Sequence, residues 1–478
     1  MVARPFIAPF RAMRPMLALG AALTAGACDF LAPILDPPQV SAPPAFQYAA
    51  GESLWPPADW WRALGSAELA DLIRRAAADN QDLRAALARI EQAEANARIA
   101  DAALFPTLGL SGQGTRTTTG AKAGGSGGGG GGSGGTRTRI SYQGTLNAAY
   151  QVDLFGQNRS AAAAAAKRVE ASQFDRETVA LTVTADVAHT YLQVLALRDR
   201  LRLAREELVN AERVLGILVQ QQNVGTISDL EVAQQRSAVA SQRASIPGLE
   251  QSERAATLAL GVLIGRVPTG FSVNAQSLSE LTLPPIIAGL PSELLKRRPD
   301  IRRAEANLQA GSKDIASAWA ARFPSISLTA SAGTVSAALS GLLGPGSFIT
   351  QLAAGLVAPI FEGGRLEATQ QLQEARYKEL VAVYSQAVLV SFRDVETALS
   401  ASQLYALQYE LTRQALAQAR RAYELAQVRF NAGTVDFISV LDAQRTVIQA
   451  NDALVQADLA RYTALVDLYV ALGGGFGN

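Results

Sequence analysis

The chain has 478 residues, 49% apolar and 18% charged, with a formal net charge of +1. No basic block marks a nucleic-acid surface, and no run of 18 or more purely apolar residues lies beyond the N-terminus, so a bundle of transmembrane helices is not expected. One His and one Cys leave almost no material for a metal site, a Cys–His nucleophile or a disulfide framework, and no convergent carboxylate pair stands out; neither an enzyme nor a cofactor is expected.

At the N-terminus, Arg4, Arg11 and Arg14 precede the short apolar run MLALGAALTAGA and then Cys28. That is the pattern of a secretory signal over residues 1–27. TAGAC resembles a lipobox, with Ala25 where Leu is usual, which makes Cys28 a lipidated first residue that anchors without spanning. Asp29 resembles an inner-membrane retention signal of enterobacterial lipoproteins, so both membranes stay open at this point. Losing residues 1–27 removes three Arg and no acid, for a mature charge of −2. Closely spaced prolines then predict an extended strap over residues 28–68.

Helical spacing begins near Leu69, places Leu83, Leu87 and Ile90 on one side, and stops at Pro106. The period then changes to two. Ile140, Tyr142, Leu146, Ala148, Tyr150 and Val152 alternate with Ser141, Gln143, Thr145, Asn147, Gln151 and Asp153, the signature of a strand with one apolar and one polar face. TLGLSGQGTRT pairs with it as a hairpin within 107–153, and the intervening Gly-rich loop 124–135 reads as flexible and solvated rather than phosphate-binding. From Arg159 to Val224 there is no Pro and only Gly216, enough for a helix of roughly 100 Å. Along it Leu197, Leu201, Ala204, Leu208, Ala211, Leu215 and Leu218 form a coiled-coil seam. NVGTISD turns the chain, with Gly225 free to take a positive φ and Ser228 or Asp229 as N-cap. A second helix returns to about Ile264, kinked at Pro247.

The pattern then repeats. RPDIRRAEANLQAGSKDIASAWAARFP aligns with NQDLRAALARIEQAEANARIADAALFP: Asp82 with Asp300, Ile90 with Leu308, Phe105–Pro106 with Phe323–Pro324. A second hairpin falls within 325–358, PIFEGGR answers to DLFGQNR, and residues 365–432 form another long helix whose predicted seam is Leu404, Leu411, Ala415, Ala422 and Leu425. NAGTVDFISVLDAQR turns the chain again. The chain is thus a tandem repeat, 69–265 and 291–472, with a short tail at 473–478. Four amphipathic strands cannot close a barrel, so several chains are expected to pool them in a membrane. Three copies would give twelve strands around a lumen. The fold class is therefore α+β.

Two Phe-Pro junctions, DLFG at 153–156, RRPDIRRAE at 297–305 and NAGTVDFISVLDAQR make the chain resemble the TolC-like outer membrane efflux proteins, in particular their lipidated OprM-like branch. The resemblance implies a homotrimeric channel-tunnel: a transmembrane β-barrel on a long coiled-coil α-barrel, in the outer membrane and reaching into the periplasm. Its implied partners are outer-membrane lipid, a periplasmic membrane-fusion adaptor and an inner-membrane pump of the resistance-nodulation-division type. Residues 266–290 correspond to the equatorial segment.

Both turns fall at the family's periplasmic tip, where the resting channel closes and adaptors dock: Gly225 and Thr226 in one, Gly433 and Thr434 in the other. By position Asp442 matches a constricting aspartate ring and Ile438 an apolar constriction. Ser439 replaces a second aspartate found in TolC. Glu231 and Phe430 match residues that tie neighbouring tip helices, although Val435 replaces their usual Arg partner. The lone His189 reads as an ordinary helical residue. Two other readings share part of this pattern: a type I protein-secretion channel, which has the same fold, and a structural trimeric coiled-coil surface protein.

Overall fold

Four antiparallel strands and two pairs of long helices account for most of the chain. This computed structural model describes residues 43–48, 55, 57–119, 137–284 and 291–474. In chain order the elements are α1 (Ala67–Asp79), α2 (Gln81–Ala102), β1 (Thr107–Thr119), β2 (Arg137–Val152), α3 (Gln157–Asn223) and α4 (Asp229–Leu263). They continue with α5 (Pro291–Arg297), α6 (Pro299–Ala320), β3 (Ser325–Ser336), β4 (Phe348–Val357), α7 (Arg365–Asn431) and α8 (Phe437–Ala471). The duplication is metric as well as topological. Both α3 and α7 have 67 residues and both α4 and α8 have 35, starting at positions 208 apart. The 22-residue α2 and α6 start 218 apart. Cys28, the Gly-rich loop 124–135, 285–290 and 475–478 lie outside the described residues.

Residues 92–169 and 306–381 belong to one compact unit, which contains the sheet in the order β1-β2-β3-β4. Period-two alternation sorts its faces as the sequence predicts. Leu108, Ala148, Ala330 and Leu352 form one cross-strand row, and Gly109, Asn147, Ser331 and Gln351 the next. On the apolar face Leu108, Leu110, Leu146, Leu328, Leu352 and Leu356 are all exposed. On the polar face Thr145 is buried, and the hydroxyls of Thr145 and Ser111 lie 2.9 Å apart. Asn147 Nδ2 donates to Ser111 Oγ at 2.9 Å. Such a sheet keeps its polar side internally bonded and presents hydrocarbon outward, the reverse of a sheet in water.

Residues 38–91, 170–305 and 382–478 form the second unit. Its largest core gathers Leu69, Leu72 and Ile73 of α1, Tyr191, Leu192 and Leu195 of α3, Leu260 of α4 and Tyr462, Leu465 and Val466 of α8. Two sequence expectations change here. Regular structure starts before Leu69: Trp60–Leu64 forms a 3-10 turn with Trp60 and Leu64 buried, and Phe46 is buried in a second core. Three large apolar side chains in this stretch gain more from burial than an extended strap allows. Secondly, the predicted α7 seam is not the face the chain buries. Leu404, Leu411 and Leu425 are exposed, while Leu416 and Ala419 pack against Val447 of α8. The heptad pattern located an apolar stripe, which the chain by itself leaves exposed. On α3 the seam holds, with Leu197, Ala211 and Leu218 buried. Pro247 sits inside α4, which stays helical through it.

The ends of the returning helices are built alike. Gly265, with φ +71°, follows α4, and Gly473, with φ +89°, follows α8. In each, two backbone N–H groups close a Schellman cap: Gly265 to Val262 and Arg266 to Gly261, Gly473 to Val470 and Gly474 to Tyr469. A side chain from the residue that joins two other helices, Asn80 between α1 and α2 or Arg298 between α5 and α6, then reaches the last helical carbonyl. Asn80 Nδ2 donates to Leu263 O at 2.8 Å, and Arg298 Nη1 donates to Ala471 O at 3.2 Å. Asn80 and Arg298 are themselves 218 positions apart, so one structural job is done by an amide in the first repeat and a guanidinium in the second.

Candidate functional site: the two helix-reversal turns

Why the two turns share their sequence becomes clear from their hydrogen bonds. In the first, Gly225 has φ +76° and donates to Gln222 O at 2.9 Å, while Thr226 N and Thr226 Oγ1 both donate to Gln221 O at 2.9 Å. In the second, Gly433 has φ +71° and donates to Phe430 O at 2.9 Å; Thr434 donates to Arg429 O from N at 2.9 Å and from Oγ1 at 3.0 Å. Glycine supplies the left-handed residue that ends the helix, and threonine doubly satisfies a carbonyl the helix leaves free. Gly-Thr is therefore a helix stop written twice.

The restarts differ. Ser228 caps α4, and Glu231 closes a capping box, its carboxylate accepting from Ser228 N at 3.0 Å and from the Ser228 hydroxyl. That hydroxyl, with backbone N–H groups, holds the Glu231 carboxyl below the usual range. Glu231 is thus engaged by its own helix terminus. Asp436 stands at the N-cap of α8 without a side-chain hydrogen bond. A shared core ties the turns together: Leu218 of α3, Val232 of α4 and Phe437, Val440 and Leu441 of α8, with Phe430 packed against them. The Phe430 and Phe437 rings lie 5.2 Å apart.

Burial along α8 divides Phe437, Val440, Leu441 and Gln444 from Ile438, Ser439 and Asp442. Ile438 is 41% exposed, one turn before Asp442 on the outer face. Asp442 has a partner that sequence reasoning did not assign: Arg445 Nη1 lies 3.1 Å from Asp442 Oδ1, with both side chains nearly two-thirds exposed. An (i, i+3) spacing of opposite charges was the available signal. Further along the helices, Arg420 Nη2 donates to Asn451 Oδ1 at 3.0 Å and Asn451 Nδ2 lies 3.5 Å from Glu207 Oε1. Burial raises the Glu207 pKa against the opposing pull of Arg420. His189 Nε2 meets Asp467 at 3.0 Å. Among the described residues, no group of three His, Cys, Asp or Glu is placed to hold a metal ion.

Comparison with known proteins adds a consistent set of matches. The family profile described as outer membrane efflux protein matches residues 72–266 and again 290–474. The pyoverdine export outer membrane protein OpmQ of Pseudomonas aeruginosa is 41% identical over 471 residues, covering 97% of each chain. A crystal structure of a membrane protein from Pseudomonas aeruginosa superposes with a TM-score of 0.82 at 32% identity, covering 93% of this chain and 98% of that one. The open state of the Neisseria gonorrhoeae MtrE outer membrane channel also gives 0.82, at 29% identity and with the same coverage.

Proposed function

The chain belongs to the outer membrane efflux protein family, and from that premise we propose that it assembles as a homotrimer into the outer-membrane duct of a tripartite efflux system. Small molecules enter this duct from an inner-membrane pump of the resistance-nodulation-division type through a periplasmic adaptor, and the duct performs no chemistry on them. The observation that carries the reading is the open sheet. Its apolar face is exposed along all four strands, and the outer edges of β1 and β4 are unpaired among the described residues. Closing three such sheets into twelve strands satisfies both at once. The uncovered stripe of Leu404, Leu411 and Leu425 on α7 supports the same assembly, as a seam awaiting a neighbouring helix. Similarity to a protein named for pyoverdine export favours small-molecule efflux over protein secretion.

Purified protein should run as a trimer in detergent by light scattering; a monodisperse monomer would overturn the duct. Leu146→Arg should cost roughly 2–4 kcal/mol of insertion near the bilayer midplane and deplete the protein from outer membranes. Gln143→Arg, on the opposite face, should leave its level unchanged. Equal depletion by both would remove the lipid-facing assignment.

Cys28 acts as a second attachment through acylation. Mass spectrometry should find an acylated Cys28 at the mature N-terminus, and Cys28→Ser should abolish it. An N-terminus at another residue would rule the anchor out.

Ile438 and Asp442 line the closed end of the duct. Supporting this, Ile438 is an apolar residue left outside the core its own helix builds. Gly225, Thr226, Gly433 and Thr434 form the reversal that an adaptor meets, and Glu231 and Phe430 hold it in shape. In planar bilayers, Ile438→Ser should raise the closed-state conductance more than Asp442→Ala does. Charge at the constriction is shared between Asp442 and its exposed partner Arg445, a pair worth less than about 1 kcal/mol in mutual stabilisation. Asp442→Ala should therefore weaken cation preference and Arg445→Ala should strengthen it, as shifts of opposite sign in the reversal potential across a salt gradient. Unchanged conductance and selectivity in all three variants would put the gate elsewhere.

A further inference from the structure

Among the described residues, Arg116 is the one charged side chain on the apolar face of the sheet. Along β1 that face reads Leu108, Leu110, Gly112, Gly114, Arg116 and Thr118, with Tyr142 opposite Gly114, Ile140 opposite Arg116 and Thr138 opposite Thr118. The other charged strand side chain, Arg139, lies opposite Thr117 on the polar face.

Moving away from the helices, the apolar face changes character row by row. Leucines come first, and then the Tyr142 ring, which lies over Gly114 so closely that a Cβ there would meet Cδ1 and Cε1 at 3.4 Å. Arg116 follows, fully open to its surroundings. The hydroxyls of Thr118 and Thr138 come last, 3.4 Å apart. Hydrocarbon, aromatic ring, cation and hydroxyl are met in that order on leaving a bilayer core for its headgroups. At the opposite end Tyr150 stands on the same face, and Phe105, just before β1, is exposed. Ten residues of β2 separate Tyr150 from Ile140, or about 33 Å of strand. At the usual tilt that is about 25 Å of height, the span of a lipid-facing band. With the helices on the periplasmic side, Arg116 therefore stands at the level of the outer-leaflet headgroups.

No protein carboxylate is available to it there. From Ala102 to Val152 the chain has no Asp or Glu, and from Phe323 to Phe361 it has no charged residue of either sign. A neighbouring copy in the duct brings its second hairpin beside β1, and so brings no acid either. The anion that meets Arg116 has to come from the membrane.

We infer that Arg116 binds the phosphate of an outer-leaflet lipid. Its stem lies along the apolar surface while the guanidinium fork reaches phosphate oxygens with two parallel N–H donors. The inference rests on the lipid-facing reading of the sheet and adds a specific headgroup site to it.

The test titrates the full-length protein in detergent with diphosphoryl lipid A, a phosphorylated glycolipid, and counts bound lipids by native mass spectrometry. Arg116→Ala should weaken binding about fivefold. Arg116→Lys should lose less, because it keeps the charge but not the fork. Arg139→Ala removes the same charge from the opposite face and should bind like the unaltered protein. An uncharged galactolipid should bind all four proteins equally, and millimolar inorganic phosphate should displace no lipid A. Equal lipid A binding with and without Arg116, an equal loss in Arg139→Ala, or displacement by inorganic phosphate would overturn the inference. The same spectra give the number of chains per particle. Trimers whose lipid binding ignores Arg116 would sink the inference alone, whereas a monomer would remove the duct beneath it.

Discussion

Replacing Arg298 with Ala is expected to destabilise the protein by about 3–5 kcal/mol, the scale set by stranding buried charge. The side chain is 11% exposed. It reaches Asp300 from Nη2 at 2.8 Å and from Nε at 3.0 Å, Asp394 at 3.3 Å and Ala471 O at 3.2 Å. Burial opposes its charge, and hydrogen bonds and attraction from Asp300 and then Asp394 more than offset this, leaving its pKa raised. Truncation therefore does more than delete bonds. It leaves the partly buried Asp300 without its partner, Asp394 with only the exposed Arg393, and a helix carbonyl without its donor. Asn80→Ala, at the equivalent place in the first repeat, strands no charge and should cost about 1–2 kcal/mol. The check is the denaturant midpoint of each variant followed by far-ultraviolet circular dichroism. Equal shifts would mean that Arg298 works only as a cap, with no electrostatic contribution.

Gly265→Ala should be nearly as harmful for an unrelated reason. At φ +71° any side chain costs about 1–2 kcal/mol. A Cβ here would also stand 2.2 Å from Asp79 O and 2.6 Å from the carbonyl carbon, so backbone must move, adding about 1–3 kcal/mol. Its repeat counterpart Gly473 has similar dihedral strain, but a Cβ there would meet its nearest atom, Arg297 O, at 3.3 Å. Gly473→Ala should therefore show little beyond the dihedral term. Gly433, with no atom within 4 Å, should show that term alone. Thermal melts of the three variants should fall in that order. If Gly433→Ala proved the worst, strain rather than crowding would govern these positions.

How legible was this in the sequence? The strand faces were, because period-two alternation from Ile140 to Asp153 depends only on local geometry and on one side being wet. So were the duplication and the glycine of each turn, since a reversal between two long helices demands a left-handed residue near Gly225 and Gly433. Positions that depend on partners far away in sequence were not. The motif RRPD was visible, but Arg298 bonds to Asp394 and to the end of α8, which no spacing rule connects. The stripe on α7 was visible too, but a heptad names a face and not its neighbour. At the candidate constriction, Asp442 and Ile438 came from resemblance, and the chain's own contribution, Arg445, emerged only once the side chains were placed.

The equal lengths of α3 and α7 carry a consequence for how such a protein can change over generations. Deleting one residue from α3 would turn everything beyond it by about 100° and shorten it by about 1.5 Å, while α7 stayed as it was. Leu218 would leave the core it shares with Phe437 and Val440, and the two reversals would no longer fit together. Only paired changes, equal in both helices, preserve the match. No such constraint governs the stretches between the Phe-Pro junctions and the long helices, where the first repeat is ten residues longer than the second, Pro106 to Gln157 against Pro324 to Arg365. Length drift in this lineage is therefore expected to accumulate in the hairpins and their loops, while the helices inherit their length as a matched pair.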